Sequence, residues 1–434
     1  MNTNQSGSWQ PILDGELAAR ALDSIYSIAE CLRTRRPSAG ASLAGGHAGM
    51  ALLFRYLALA QPGAGHETWA QHYRGLAMDA LAGEPMWASF YGGFPGVVWA
   101  AQHLDGAPEP DAEDPAQEVD QAVLALLCRS PWRRDYDLVN GLVGLGVYAL
   151  ERLPRPAAAA CLLQIVVHLE QLFVADPDGL RIHTPPELLR STQATEYPHG
   201  YYNLGLAHGL PGILAVLGAI YTAGICRERA RRLLLGGFDW LWAHRLPQDC
   251  SQERESVFPR CVGPGIQPRP AQTTWCYGDP GIAMAMLLAA RAVGERLWEE
   301  RALWLARQVA KRPPGRTGVV DIGLCHGAAG MGHLLNRLFQ ATGEEIFQES
   351  ARSWFRRTLD MRDPERGLAG YLAYDPREAG ADPVWIEDAG LLVGVSGIAL
   401  SLLGALTPIE PAWDRMLLAS FPVGSASAQA AGPS

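Results

Sequence analysis

Three short stretches of the chain place reactive side chains directly before a glycine: Ala207-His208-Gly209, Cys276-Tyr277-Gly278 and Cys325-His326-Gly327. Thiolate and imidazole are zinc's preferred donors, and a catalytic zinc keeps three protein ligands and one open position. Cys276, Cys325 and His326 make such a set, for one zinc ion per chain. Two thiolates neutralise the dication, so a third sulfur entering the open position stays electron-rich. Binding also strips the proton from a thiol whose free pKa is about 8.5. His208 is suited either to ligate the metal or to carry a proton near neutral pH. Asp137, four residues before Gly141, either orients a histidine or takes part in proton transfer, or it caps a helix. Tyr277 either donates to an enolate oxygen or packs. Four of the other cysteines invite a plainer reading: Cys31, Cys128, Cys161 and Cys226 lie in or beside apolar segments and behave there as small hydrophobes. His47, His199 and His333 are read as structural or surface residues.

His208, Cys276, Cys325 and His326 lie up to 118 positions apart, so the fold must bring them together. A Gly-x-x-Gly element followed by an apolar run occurs seven times, opening at Gly46, Gly93, Gly141, Gly209, Gly278, Gly327 and Gly394. The spacings are 47, 48, 68, 69, 49 and 67 residues, and such self-similarity marks a repeat architecture. Each element reads as a turn feeding a helix. Glycine permits backbone conformations closed to other residues, and proline suits the first helical turn. The runs that follow are apolar nearly all round and must be buried. Amphipathic stretches between them, such as 227–246 and 295–312, suit outer helices. The expected fold is therefore all-α, an α/α toroid of seven inner and seven outer helices, with the turns gathered at one end of the ring axis. Equivalent turns of the fourth, fifth and sixth repeats then converge.

The boundaries expected are a helical cap over 1–40, the toroid over 41–415 and a disordered tail over 416–434. Three long spacings carry extra segments, 176–202, 248–274 and 362–388. Long loops in compact domains are usually functional or disordered, and these suit lids or recognition surfaces.

Composition narrows the function. The 434 residues are 48% hydrophobic and 19% charged with a net charge of −9. That is a globular profile, and it argues against nucleic-acid binding, which needs a basic face. The N-terminus is polar without a signal-peptide core, so a cytoplasmic location is expected, whether or not the chain joins a membrane-bound complex. Eight scattered cysteines then read as thiols or ligands rather than disulfides.

The stretches "NLGLAHGLPG" (203–212), "WCYGDPG" (275–281) and "CHGAAG" (325–330) resemble the lanthionine synthetase C family, the lantibiotic cyclases. The resemblance runs from about residue 40 to 405 and implies the toroid with one zinc. By motif position it puts the ligands on Cys276, Cys325 and His326, an acid/base histidine on His208, an aspartate on Asp137 and an active-site tyrosine on Tyr277. It further implies a dehydrated precursor peptide as substrate, with a separate dehydratase and an exporter as partners. The chain departs from the family at Gln272, where an arginine is common, and Arg269 is a candidate substitute. Competing readings are a relative that adds glutathione to dehydroamino acids, a prenyltransferase-like toroid that activates a thiol on zinc, and a non-catalytic scaffold.

Overall fold

The structure, a computed structural model, describes residues 9–35, 39–106, 114–247, 255–375 and 384–420. Its helices follow in chain order: α1 (Gly15–Arg35), α2 (His47–Ala60), α3 (His66–Gly83), α4 (Phe94–Asp105), α5 (Gln117–Leu127), α6 (Leu142–Glu151), α7 (Pro156–Leu172), the short α8 (Ser191–Glu196), α9 (Leu210–Thr222), α10 (Arg227–Ala243), α11 (Asp279–Val293), α12 (Arg296–Lys311), α13 (Ala328–Thr342), α14 (Glu345–Asp360) and α15 (Val395–Leu406). Each Gly-x-x-Gly element opens one helix: α2, α4, α6, α9, α11, α13 and α15. Seven amphipathic helices accompany them among the described residues: α1, α3, α5, α7, α10, α12 and α14.

The two sets differ as their sequences require. In α9 every residue from Leu210 to Ile220 is buried. In α10 burial falls on Ala230, Leu233, Leu234, Gly237, Phe238, Trp240 and Leu241, the three- and four-residue steps of one helix face.

The chain divides into two compact units. The first comprises residues 1–85, 273–275 and 306–411, and the second 86–272, 276–305 and 412–434. In the first unit α13 packs on α15, and α15 on α2, with α3 and α14 covering α2 and α13. Helix α1 lies on α15 and α14. In the second unit α4, α6, α9 and α11 pack in succession, with α5, α7 and α10 outside them. The long insertions fold as small antiparallel pairs: β1 (Phe173–Asp176) with β2 (Gly179–Ile182), β3 (Tyr202–Asn203) with β4 (Cys261–Val262), and β5 (Ala373–Asp375) with β6 (Val384–Ile386).

The structured region extends past the expected boundary at 415. Met416, Leu417, Leu418 and Ala419 are buried, and the Met416 carbonyl accepts the Tyr91 hydroxyl at 2.6 Å. The apolar side chains at these positions account for that burial. The rest of the expected tail lies outside the described residues.

The glycines serve close approach more than unusual dihedrals. Gly209, with φ −138° and ψ −165°, is in extended backbone open to any residue, yet a Cβ there would lie 2.2 Å from the Asn203 carbonyl oxygen. At Gly144 a Cβ would meet Leu138 O at 2.3 Å and the Phe90 Cβ of the neighbouring repeat at 2.6 Å. Gly75 in α3 has open space around it. Gly144→Ala is therefore expected to destabilise the protein by about 1–3 kcal/mol through overpacking. Gly75→Ala should stabilise it by roughly 0.5–1 kcal/mol. Denaturant titration of both variants checks the opposed signs.

Candidate metal centre and its neighbours

Backbone hydrogen bonds link successive turns within each unit, two or three residues before the first glycine. In the second unit Tyr91 N–H donates to Val139 O (3.4 Å), Leu138 N–H to Ala207 O (3.1 Å) and Ala207 N–H to Cys276 O (3.3 Å). In the first unit Cys325 N–H donates to Leu392 O (2.8 Å) and Leu392 N–H to Ala44 O (3.0 Å). Cys276 and Cys325 thus occupy repeat-equivalent positions, each held by a bond from its own main chain.

Within the second unit, Asp137, His208 and Tyr277 come together. His208 Nδ1 lies 2.5 Å from Asp137 Oδ2, while Asp137 Oδ1 accepts the Asn140 N–H at 2.7 Å. The backbone bond fixes the carboxylate, and the carboxylate fixes the ring. Burial pulls the His208 pKa down, but the hydrogen bond and charge of Asp137, with Cys276, outweigh it and hold the imidazole above its ordinary value. Tyr277 stacks on His208 with ring centroids 5.8 Å apart, and its hydroxyl accepts from Asn203 Nδ2 at 3.1 Å. Gly205 makes this packing possible: a Cβ there would lie 2.6 Å from Cys276 O and from the Tyr277 ring.

Asn203 and Arg260 were not singled out by the sequence. Asn203 Oδ1 closes a turn onto Gly205 N–H at 2.8 Å, leaving its amide N–H group for Tyr277. The Arg260 guanidinium sits 4.4 Å from the Tyr277 ring centroid. Its placement rests on two supports. Asn203 pairs with Cys261 across β3 and β4, and Arg260 O accepts the Leu204 N–H at 3.1 Å. Asp279, buried in the first turn of α11, accepts Val257 N–H (2.9 Å), Phe258 N–H (3.1 Å) and Ser256 Oγ–H (3.1 Å). An acidic group is favoured at a helix start, and here it also anchors the insertion that carries Arg260. The arginine over Tyr277 is therefore Arg260.

In the first unit Cys325 and His326 directly precede Gly327 and α13. Asp321 is fully buried, with Oδ2 3.1 Å from His326 Nε2. The sequence offered one signal for it. Counting six residues back from the first glycine gives Asp135, Asn203, Asp321 and Asp388 in four of the repeats.

One ligand atom each from Cys276, Cys325 and His326 lies within 4.8 Å of the others. Two thiols and one imidazole at that separation fit zinc in number and donor type. His208 is not a member of this group; its ring is engaged by Asp137.

A chain of paired apolar and amphipathic helices that gathers two thiols and an imidazole defines a class: helical proteins with a candidate metal centre. The chain belongs to the lanthionine synthetase C-like protein family, which matches residues 37–418. The nisin biosynthesis protein NisC of Lactococcus lactis subsp. lactis is 26% identical over 215 residues, 45% of this chain and 47% of that one; the match spans about half the length of that relative. The solved structure of nisin cyclase aligns with a TM-score of 0.72 at 19% identity, covering 92% of this chain and 97% of its own. The fold is accordingly the α/α toroid expected from the seven repeats. Among the described residues no helix is long and apolar enough to cross a membrane.

Proposed function

We propose that this chain is a peptide cyclase that closes thioether rings by adding a cysteine thiol to dehydroalanine or dehydrobutyrine in the same peptide. The observation that carries the reading is the Cys276, Cys325 and His326 group, whose ligand atoms lie within 4.8 Å of one another, in a chain whose His208 is paired with Asp137. The three residues would hold zinc, which supplies a Lewis acid that favours the thiolate form of an incoming sulfur. His208 takes the thiol proton, with Asp137 fixing the tautomer and stabilising the imidazolium. The sulfur attacks the β-carbon of the dehydroamino acid, and the electron pair of the double bond moves toward the neighbouring carbonyl. Arg260 and the Tyr277 hydroxyl are the donors suited to that oxygen. His208 returns the proton to the α-carbon, so nothing is lost or gained overall: one S–H and one C=C π bond are replaced by C–S and C–H bonds.

The substrate follows from the chemistry. It is a dehydrated precursor peptide, so a dehydration of serine or threonine in that peptide must precede this reaction.

The reading predicts ring closure over intermolecular addition. A peptide bearing one dehydroalanine and one cysteine is incubated with the zinc-loaded protein and excess glutathione. The expected product keeps the peptide mass and no longer reacts with a thiol-alkylating reagent. A dominant product heavier by one glutathione would replace the cyclase reading with that of a glutathione-adding relative.

A further inference from the structure

Asp321 occupies a repeat position whose side-chain oxygen closes a local turn in two other repeats. Six residues before the first glycine, Asn203 accepts the Gly205 N–H at 2.8 Å and Asp388 accepts the Gly390 N–H at 2.7 Å. Each closes a turn two residues on, as Asn and Asp side chains do. The Asp321 carboxylate is aimed differently. Its Oδ1 accepts the Tyr374 N–H of β5 at 3.1 Å, and its Oδ2 lies 3.1 Å from His326 Nε2. Its backbone is fixed as well, since the Asp321 carbonyl accepts the Ala328 N–H at 2.9 Å. The side chain has no exposure to solvent.

Burying a carboxylate costs free energy unless it is hydrogen-bonded or paired. One backbone N–H serves one oxygen, and the imidazole is what stands opposite the other. Asp321 is not part of the group formed by Cys276, Cys325 and His326, so it stands behind the histidine rather than among the ligands.

We infer that Asp321 is a positioning residue for the metal centre: its carboxylate accepts the His326 Nε2–H, locks that tautomer and turns Nδ1 toward the metal. A metal-ligating histidine commonly gives its other N–H to a carboxylate, which sets ring orientation and raises ligand basicity. The third long insertion thereby acquires a role in the site, because β5 supplies the N–H that keeps Oδ1 engaged and aims Oδ2. The inference rests on the zinc reading above, and its test separates the two.

Zinc affinity is measured by competition with a chromophoric chelator for the unmutated protein, Asp321→Asn and Asp388→Asn. Asparagine can keep the Tyr374 contact through its Oδ1 but presents an amide N–H group where the imidazole N–H needs an acceptor. Asp321→Asn should lower affinity by about 10–100-fold, with the melting temperature of the metal-free protein unchanged. Asp388→Asn, which retains its turn, should bind as the unmutated protein does. Equal affinity in all three would overturn the inference and leave the zinc site standing. No zinc binding by the unmutated protein would overturn both. A second measurement needs no variant: in zinc-loaded protein with ¹⁵N-labelled histidine, His326 should show a protonated Nε2 and a metal-bound Nδ1. The reverse assignment would contradict the inference even if Asp321→Asn failed to fold.

Discussion

Cys276→Ala and Cys325→Ala each yield folded protein that no longer retains zinc through purification. Three ligands are the minimum that a catalytic site of this kind uses, and loss of one leaves a thiol and an imidazole that compete poorly with water. The loss should exceed the roughly 10–100-fold that removal of an outer partner costs. Metal analysis by inductively coupled plasma mass spectrometry should fall from about one zinc per chain to a small fraction, and thioether formation should fall with it. Circular dichroism should stay close to that of the unmutated protein, because the turn bonds at these positions run from backbone to backbone: Ala207 N–H to Cys276 O and Cys325 N–H to Leu392 O. Full zinc retention in either variant would remove that cysteine from the ligand set.

His208→Ala separates proton transfer from metal binding. Its imidazole is held by Asp137 at 2.5 Å and lies outside the group of candidate ligands, so the variant should keep its zinc. Removing a positioned acid/base typically costs about 10²–10⁴-fold in rate, and cyclisation should slow by that order. Zinc loss in His208→Ala would make the residue a ligand; a normal rate would send the proton elsewhere, with Tyr277 or His326 next in line. Asp137→Asn adds a pH test. Burial lowers the His208 pKa, and Asp137 is the main influence raising it to a net upward shift. Replacing the charge with an amide should move the His208 transition in the pH–rate profile to lower pH while zinc content holds. A transition that stays in place would detach Asp137 from the histidine.

Much of this fold is legible in seven glycine elements. Their positions mark the starts of the seven buried helices, and the amphipathic stretches between them mark the outer ones. The reason for the glycines is less legible. A Gly-x-x-Gly pattern suggests unusual dihedrals, and only Gly278, with φ +103°, has them among the seven opening glycines. At Gly209 and Gly144 the need is space for a neighbouring strand of backbone or a neighbouring side chain, which no local pattern records.

The same distinction runs through the site. Cys276, Cys325, His326 and His208 stand out because repeat phase turns distant residues into equivalent ones. Arg260 does not, since its place depends on pairing between β3 and β4, Tyr202 with Val262 and Asn203 with Cys261, and on the Asp279 carboxylate that anchors the loop. Single-residue types in irregular segments carry no period from which to read such a pairing. Asp321 lies between these cases. It shares a repeat position with Asn203 and Asp388, so the sequence marks it, but its redirection toward His326 depends on the Tyr374 N–H from β5. The three insertions expected as lids or recognition surfaces are thus, in part, braces: one supplies Tyr202, which pairs with Val262, one carries Arg260, and one steadies Asp321.

The central claim is that the chain forms thioether rings through a zinc-held sulfur. Cyclisation leaves mass unchanged, so the direct measurement follows the thiol. A dehydrated peptide with one cysteine is incubated with zinc-loaded protein, with protein stripped of metal by a chelator, and with the stripped protein after zinc is restored. Each reaction is quenched with a thiol-alkylating reagent and weighed by mass spectrometry. With the loaded and restored protein the peptide should resist alkylation, and with the stripped protein it should gain the full alkyl mass. Complete alkylation with the loaded protein, or equal protection with and without zinc, would contradict it.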